Sequence, residues 1–163
     1  MTLKILLRHF PHPLITIPFS IFGLNDFGKD PIKADWQPPG YVFGIAWSIL
    51  YTLLSVINIR LDNLNILDTL KKNALKEGIN EALLQGLWLL ISSDLSKFGI
   101  KKGKIQYIGS FILISYLAYY AFSTRLNTLK STDITSYYMY IPYVVWISFA
   151  SILSYQILLK SLK

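Results

Sequence analysis

The stretch GYVFGIAWSILYTLLSVINIRL, residues 40–61, decides the fold, because it holds a single charged residue, Arg60, close to its end. An α-helix rises about 1.5 Å per residue, so roughly 20 mainly apolar residues cross a hydrocarbon core about 30 Å thick. Pro38 and Pro39 lie where a helix starts, and a missing N–H costs nothing there because the donors of the first turn have no partners anyway. The stretch therefore predicts a transmembrane helix that begins at Gly40.

Four further segments are long and apolar enough to be read in the same way. The composition agrees, since 53% of the 163 residues are hydrophobic and 15% are charged, whereas a soluble domain carries about a quarter charged residues. We predict an all-α membrane protein, a bundle of five transmembrane helices in one domain, residues 1–163. The expected spans are residues 3–24, 40–61, 79–98, 105–122 and 139–159.

The first of these spans has charged residues and prolines ahead of its apolar part. A cleaved signal peptide has this outline, but no small-x-small cleavage site follows, so we favour a first helix whose early part lies among the lipid head groups. His9 and His12 are spaced so that they could share a metal ion. We favour interfacial histidines beside prolines, and we predict neither a metal ion nor a cofactor.

The formal net charge of +7 raises the question of nucleic acid. The sixteen Lys and Arg residues, Arg125 among them, lie mostly in short connections, and no basic stripe carries interleaved aromatics. Anionic lipid head groups are therefore the expected partner, and nucleic acid is not. On the two sides that five spans create, these residues divide eight and eight, so charge bias predicts no orientation. The absence of Cys excludes disulfides, thiolate metal sites and a cysteine nucleophile.

The third span carries a polar stripe. Its members are spaced by 4, 3 and 4 residues, which places them on one helix face. Polar and charged groups within a membrane are costly unless they face the bundle interior or a wet cavity. We expect this face to line a pocket, and the alternative is interhelical hydrogen bonding without any ligand. The stripe consists of Glu81, Gln85, Trp88 and Ser92. Asp94 points away from it, and we expect it to pair with Lys97 near the interface.

Tryptophans occupy interior faces of two further spans. Trp47 and Tyr51 share a face of the second span, and Trp47 lies about 10 Å below Gly40, deeper than the usual interfacial belt. The fifth span places Trp146 and Phe149 on one face. Three spans thus each present a Trp inward, a composition suited to stacking on a flat apolar ligand. The belt interpretation suffices for four tyrosines of the fifth span: Tyr137, Tyr138, Tyr140 and Tyr143.

Small residues recur at every fourth position of the second span, at Gly40, Gly44 and Ser48. A ridge of this kind lets another helix approach closely. We therefore expect a helix contact along it.

Two long motifs carry a resemblance to a known family. WQPPGYVFGIAWSILY, residues 36–51, resembles the signature W-x-P-P-x-x-V-x-G-x-x-W-x-x-L-Y of the translocator protein family, also called tryptophan-rich sensory proteins, TspO/MBR proteins or peripheral benzodiazepine receptors. PYVVWISFASILSY, residues 142–155, is similar to that family's fifth-helix pattern P-Y-x-x-W-x-x-F-A-x-x-L-N-Y. Chain length and span count agree with the resemblance as well.

The resemblance implies a five-helix bundle, often a homodimer, that binds porphyrins such as protoporphyrin IX and, in animals, cholesterol and benzodiazepine-type drugs. The implied pocket lies between the helices under the first loop, which we expect Trp36 to help close; the alternative is a simple helix start with an interfacial Trp. Together, the helix faces and the resemblance predict these ligand-binding residues: Trp36, Trp47, Tyr51, Glu81, Gln85, Trp88, Trp146, Phe149, Ala150 and Leu153. A loose sterol pattern, which many helices satisfy, is matched by Leu153, Tyr155 and Lys160.

The chain also departs from the family pattern. Ile45 stands where the family has a Pro, Gln85 where it usually has an Asn, and Ser154 where it has an Asn. The usual Phe pair of the third helix is Ser92 and Ser93. None of these changes places a new charge in lipid, so the expected fold stands and the identity of the ligand is what they affect.

Three functions follow from the resemblance. The leading one is binding of porphyrin or sterol, linked to transport or stress regulation. The second is an enzyme that degrades porphyrin with light and oxygen, in which Trp47 and Trp146 would act; no preorganised acid, base or metal supports it. The third is a scaffold that acts through partners. A eukaryotic member would be expected in the outer mitochondrial membrane, and a bacterial one in a membrane of the cell envelope.

Overall fold

The computed structural model describes residues 2–23, 32–93 and 102–163. In these ranges the chain forms helices joined by short connections. They are α1 (Leu3–His9), α2 (Pro11–Gly23), α3 (Gly40–Asn63), α4 (Asp68–Ser92), α5 (Lys104–Tyr120), a π turn (Ala121–Arg125), α6 (Leu126–Thr132) and α7 (Ile134–Leu162).

An all-α membrane fold is confirmed, but the count of five spans is slightly off. Within the described ranges, three helices are long and apolar enough to cross a bilayer: Gly40–Asn63, Lys104–Thr132 and Ile134–Leu162. The 13 residues of α2 fall short of the roughly 20 that a span needs. Charged residues in the first half of α4, such as Lys76 and Glu77, set that helix apart from the three.

The predicted first span is two helices instead of one. α1 ends at His9, Phe10 follows it, and α2 starts at Pro11, where a proline suits the first turn. Arg8 and His9, at the end of α1, bind Asp62 at the end of α3 at 2.7 and 2.8 Å. α1 is thus tied to α3 by polar contacts near the end of the bundle.

Several expected boundaries lie elsewhere or cannot be compared. α4 begins well before residue 79, the expected start of the third span. The expected end of that span at residue 98, the Asp94–Lys97 pair and residues 25–31 of the first loop lie outside the described residues.

The fourth span does not end at residue 122. The helix continues through the π turn and α6 as one unit, Lys104–Thr132. Buried Leu129 supplies the apolar contact that holds this extension against its neighbours, among them α4 and α7. Arg125 is the last residue of the π turn and points into the bundle instead of belonging to a loop.

The core lies where α7 packs against α3 and α5 and where α4 packs against α2 and α5. Leu54, Ile114 and Ile147 are buried there. The opposite faces of α3, α5 and α7 carry large exposed aliphatic side chains, and lipid is the solvent that suits them. They include Ile45, Ile49, Ile112, Val145 and Ile152.

Asp133 connects α6 to α7 and caps the second of these helices. Its carboxylate accepts a hydrogen bond from the Ser136 backbone N–H at 2.9 Å, which satisfies a donor of the first turn. The same carboxylate binds the Arg60 guanidinium at 2.6 and 3.1 Å. The Arg60 guanidinium, followed by the Ser136 hydrogen bonds, holds the pKa of Asp133 below its ordinary value of 3.8.

Candidate functional site: an aromatic cluster beside a polar cluster

Trp47 of α3 lies at the centre of a group of aromatic side chains. Its ring centroid is 5.4 Å from that of Tyr51, 6.3 Å from that of Trp88 and 6.1 Å from that of Trp146. The tryptophans of α3, α4 and α7 therefore meet in the interior, as their helix faces predict. We call Trp36, Phe43, Trp47, Trp88, Trp146 and Phe149 the aromatic cluster.

The loop before α3 extends this cluster toward the surface. The Trp36 ring lies 5.7 Å from the Phe149 ring, which lies 5.2 Å from the Trp146 ring. Trp36 remains 46% exposed, so it covers one edge of the cluster without being enclosed by it. Asp35 of the same loop binds Lys160 near the end of α7, which ties the loop to that helix.

The three interior tryptophans differ in how their indole N–H groups are used. Trp88 donates to the Ser110 hydroxyl at 3.1 Å. The Trp47 and Trp146 N–H groups are buried and have no hydrogen-bond acceptor among the described residues. A buried donor without an acceptor costs about 1–3 kcal/mol. Within the described part of the chain, these two donors are therefore unused.

The sterol pattern does not form one surface. Leu153 is buried in the core together with Ala150, whereas Tyr155 is exposed and lies against Phe111 at 5.4 Å between ring centroids. Lys160 is engaged by Asp35. The structure therefore brings Leu153 and Ala150 to the bundle interior and leaves Tyr155 outside it.

The polar stripe of α4 faces inward over most of its length. Glu81, Gln85 and Trp88 are buried, and Ser92 is half-buried with its hydroxyl bound to the backbone of its own helix. The Gln85 amide donates to the Tyr51 hydroxyl at 2.8 Å and accepts from Tyr143 at 3.0 Å. Gln85 thus joins α3, α4 and α7, which is the interhelical bonding that the sequence leaves open as an alternative.

Glu81 lies in a second group, one turn before Gln85 and two turns before Trp88 on α4. One of its carboxylate oxygens accepts a hydrogen bond from Tyr140, and the other lies 3.6 Å from His12 Nε2 and 4.0 Å from Arg125 Nε. Arg125 donates to Asn58 Oδ1 at 2.9 Å. We call His12, Asn58, Glu81, Arg125 and Tyr140 the polar cluster, and all five are almost completely buried.

Three expectations about these residues are wrong. Tyr140 and Tyr143 are buried hydrogen-bond donors, so the belt interpretation holds at best for half-buried Tyr137 and exposed Tyr138. His12 is buried beside Glu81 instead of lying at the interface, and Arg125 is not a connection residue. The spacing of residues along α7 does indicate that Tyr140 and Tyr143 face inward. Buried residues of α7 recur at spacings of 4, 3, 4 and 3, at Ser136, Tyr140, Tyr143, Ile147 and Ala150.

The small-residue ridge of α3 is open within the chain. A Cβ atom added at Gly44 would meet nothing within 4 Å among the described residues. Ser48 is exposed, and its hydroxyl bonds to the Gly44 carbonyl at 2.9 Å. No helix in the described part of the chain packs closely at Gly44, so the helix contact expected along this ridge stays a prediction.

Comparison with known proteins shows which sequences this chain is similar to. The model of the TspO/MBR family matches residues 19–159. The protein CrtK of Rhodobacter capsulatus is 27% identical over 138 residues, which cover 85% of this chain and 80% of the relative. The tryptophan-rich protein TspO of Chlorobaculum tepidum is 28% identical over 133 residues, covering 78% of this chain and 74% of the relative.

Proposed function

Because the chain belongs to the TspO/MBR family, we propose that this multi-pass membrane protein binds a porphyrin such as protoporphyrin IX at the aromatic cluster. Its role is transport or stress regulation linked to tetrapyrroles. Sterols and benzodiazepine-like molecules are the alternative ligands. Both relatives described above are bacterial, which supports a location in a membrane of the cell envelope.

The buried, unpartnered N–H groups of Trp47 and Trp146 carry this proposal. A porphyrin offers both a flat aromatic face and carboxylate oxygens, so it can stack on the rings and accept these two hydrogen bonds. Stacking is worth about 0.5–1.5 kcal/mol beyond area burial. A sterol offers a single hydroxyl and no aromatic face, so it uses the site less completely.

Trp36 gives the ligand a route to this site. Its exposed ring contacts Phe149, which in turn contacts Trp146. The loop carries Pro38 and Pro39, whose fixed backbone angles stiffen the approach to α3. In the proposed function, movement of Trp36 opens the cluster and its return covers the bound ligand.

Fluorescence titration with purified protein in nanodiscs tests the proposal. Trp47→Phe and Trp146→Phe each keep an aromatic ring and remove one N–H donor, so each should weaken protoporphyrin binding by roughly 5- to 100-fold if the acceptor is charged. Tyr155→Phe is the matched control, since it removes an exposed hydroxyl from the same helix as Trp146. A loss with Tyr155→Phe as large as with the tryptophan changes would contradict the assignment.

The same variants distinguish the ligands. With cholesterol in place of protoporphyrin, the two tryptophan changes should have a smaller effect, because a hydroxyl accepts more weakly than a carboxylate. Equal losses for both ligands would remove the reason for preferring a porphyrin.

The chain is also proposed to form a homodimer in the membrane through the open ridge of Gly44 and Ser48 on α3. Close approach of two helices along small residues supports such contacts in lipid. Gly44→Leu should shift the protein toward monomer in single-molecule photobleaching, and Ser148→Leu, at an exposed small residue of α7, is the matched control. Unchanged oligomeric state in Gly44→Leu would place the dimer contact elsewhere.

A further inference from the structure

The polar cluster is built from five separate elements, α2, α3, α4, the π turn and α7. Arg125 is 1% exposed and Glu81 is fully buried. Charged groups at such sites are costly unless they are paired and fully hydrogen-bonded. The hydrogen bonds of this cluster therefore have to be accounted for atom by atom.

Much of its hydrogen-bonding capacity has no partner among the described residues. The unpartnered atoms include the second Glu81 oxygen, two Arg125 nitrogens, the Asn58 amide nitrogen and both ring nitrogens of His12. The Glu81 oxygen is 3.6 Å from His12 and 4.0 Å from Arg125. These separations exceed a direct hydrogen bond and suit a small molecule that bonds to both sides.

Backbone features keep Arg125 at this place. The π turn interrupts a long helix and ends at Arg125 itself, and π turns inside α-helices are frequent at functional sites. Gly78 of α4 leaves room for the guanidinium, because a Cβ there would lie 2.9 Å from Arg125 Nη2 and 3.1 Å from Asn58 Oδ1. The π turn and Gly78 therefore together make room for the buried Arg125 side chain.

We propose that the polar cluster is an internal water site, in which one or a few water molecules bridge Glu81, Arg125 and His12. The unpartnered atoms include both hydrogen-bond donors and acceptors, and a water molecule can bond to either kind. The Glu81 carboxylate would repel an anion, and the Arg125 guanidinium would repel a cation, so a neutral molecule is favoured over an ion of either charge. Buried waters make about three hydrogen bonds to such groups, and this cluster offers that number.

X-ray radiolytic labelling in H₂¹⁸O tests the proposal, because hydroxyl radicals formed from bound water modify the side chains beside it. Ligand-free protein is used, so the result does not depend on the proposed function. Tyr140 and His12 should be labelled at a rate close to that of exposed Tyr138, whereas buried Trp88 in the aromatic cluster should be labelled far more slowly. Labelling of Tyr140 and His12 as slow as that of Trp88 overturns the proposal.

Two variants show whether the charged groups hold the water. Glu81→Leu combined with Arg125→Leu replaces the pair by apolar side chains and should abolish labelling at Tyr140. Gly78→Ala pushes the guanidinium aside without removing a charge, which keeps the test available if the double variant does not fold. It should reduce labelling at Tyr140 and leave Tyr138 unchanged. Undiminished labelling of Tyr140 in either folded variant overturns the proposal.

Discussion

The aromatic cluster and the polar cluster share α3, α4 and α7, and they differ in which of their polar groups have partners. In the aromatic cluster the rings pack on one another, and among the described residues the buried N–H groups of Trp47 and Trp146 lack acceptors. In the polar cluster, opposite charges face each other with several unpartnered atoms around them. A change in the ring packing leaves no charge unpaired, whereas the polar cluster cannot lose one charged member without leaving the other unpaired.

Gln85 lies between the two clusters and contacts both sides through tyrosines. Tyr51 stacks on Trp47 at 5.4 Å, and Tyr143 lies 5.3 Å from Tyr140 between ring centroids. A change in one cluster can therefore reach the other through one amide group.

The largest effect is expected from breaking the polar cluster. Arg125→Met leaves the Glu81 carboxylate buried without its cation, and removing one partner of a buried ion pair costs about 3–5 kcal/mol. Thermal unfolding in detergent should show a clear loss of stability. Lys130→Met, an exposed position in the next turns of the same helix, is the matched control and should unfold as the unaltered protein does. Equal stability of Arg125→Met and the control would mean that the charge is not buried.

A smaller loss of stability is expected from replacing Gln85, which connects the two clusters. Gln85→Leu removes an acceptor from Tyr143 and a donor from Tyr51, and an unsatisfied buried group costs about 1–3 kcal/mol. Chemical denaturation should show this loss, and protoporphyrin affinity should fall because Tyr51 supports Trp47. Gln106→Leu provides the control, because the Gln106 side chain accepts a hydrogen bond from the Gly103 backbone N–H at the start of its own helix. Stability lost without any change in affinity would show that the clusters are independent.

Trp36→Ala should act on kinetics more than on stability. The side chain covers one edge of the aromatic cluster while remaining half in solvent, so its loss removes a cover and little core packing. Stopped-flow displacement should show faster release of protoporphyrin, with nearly unchanged unfolding. Tyr41→Ala truncates a more exposed aromatic side chain nearby and should change neither. Unchanged release in Trp36→Ala would leave the loop as a simple helix start with an interfacial Trp.

The smallest effect is expected outside both clusters, at Asp133. Its pKa is lowered in the folded state by Arg60, so its contribution to stability is complete above the ordinary value of 3.8 and is lost as the pH falls below it. Asp133→Asn should be slightly less stable than the unaltered protein at neutral pH, and this difference should shrink in acid. A difference that grows as the pH falls would reverse the assigned sign. The same substitution should leave ligand binding in the aromatic cluster unchanged.

The membrane class, the apolar helices and the inward faces of three tryptophans can be predicted from the amino-acid sequence alone. These tryptophans are Trp47, Trp88 and Trp146. Helical periodicity and the length of apolar runs depend on neighbouring residues only, which is why these features can be read locally. The same periodicity was present for Tyr140 and Tyr143, but a belt of interfacial tyrosines explains them equally well until their partners are known.

The polar cluster, in contrast, depends on contacts between helices that lie far apart in the sequence. Burial of Arg125 depends on a π turn, on the space at Gly78 and on a carboxylate 44 positions away along the chain. His12 likewise meets Glu81 only because α2 packs against α4. The inward face of a helix can be predicted from its own residues, but packing of the whole bundle decides which helix contacts that face. A buried charged side chain is stable only where this packing provides its partners.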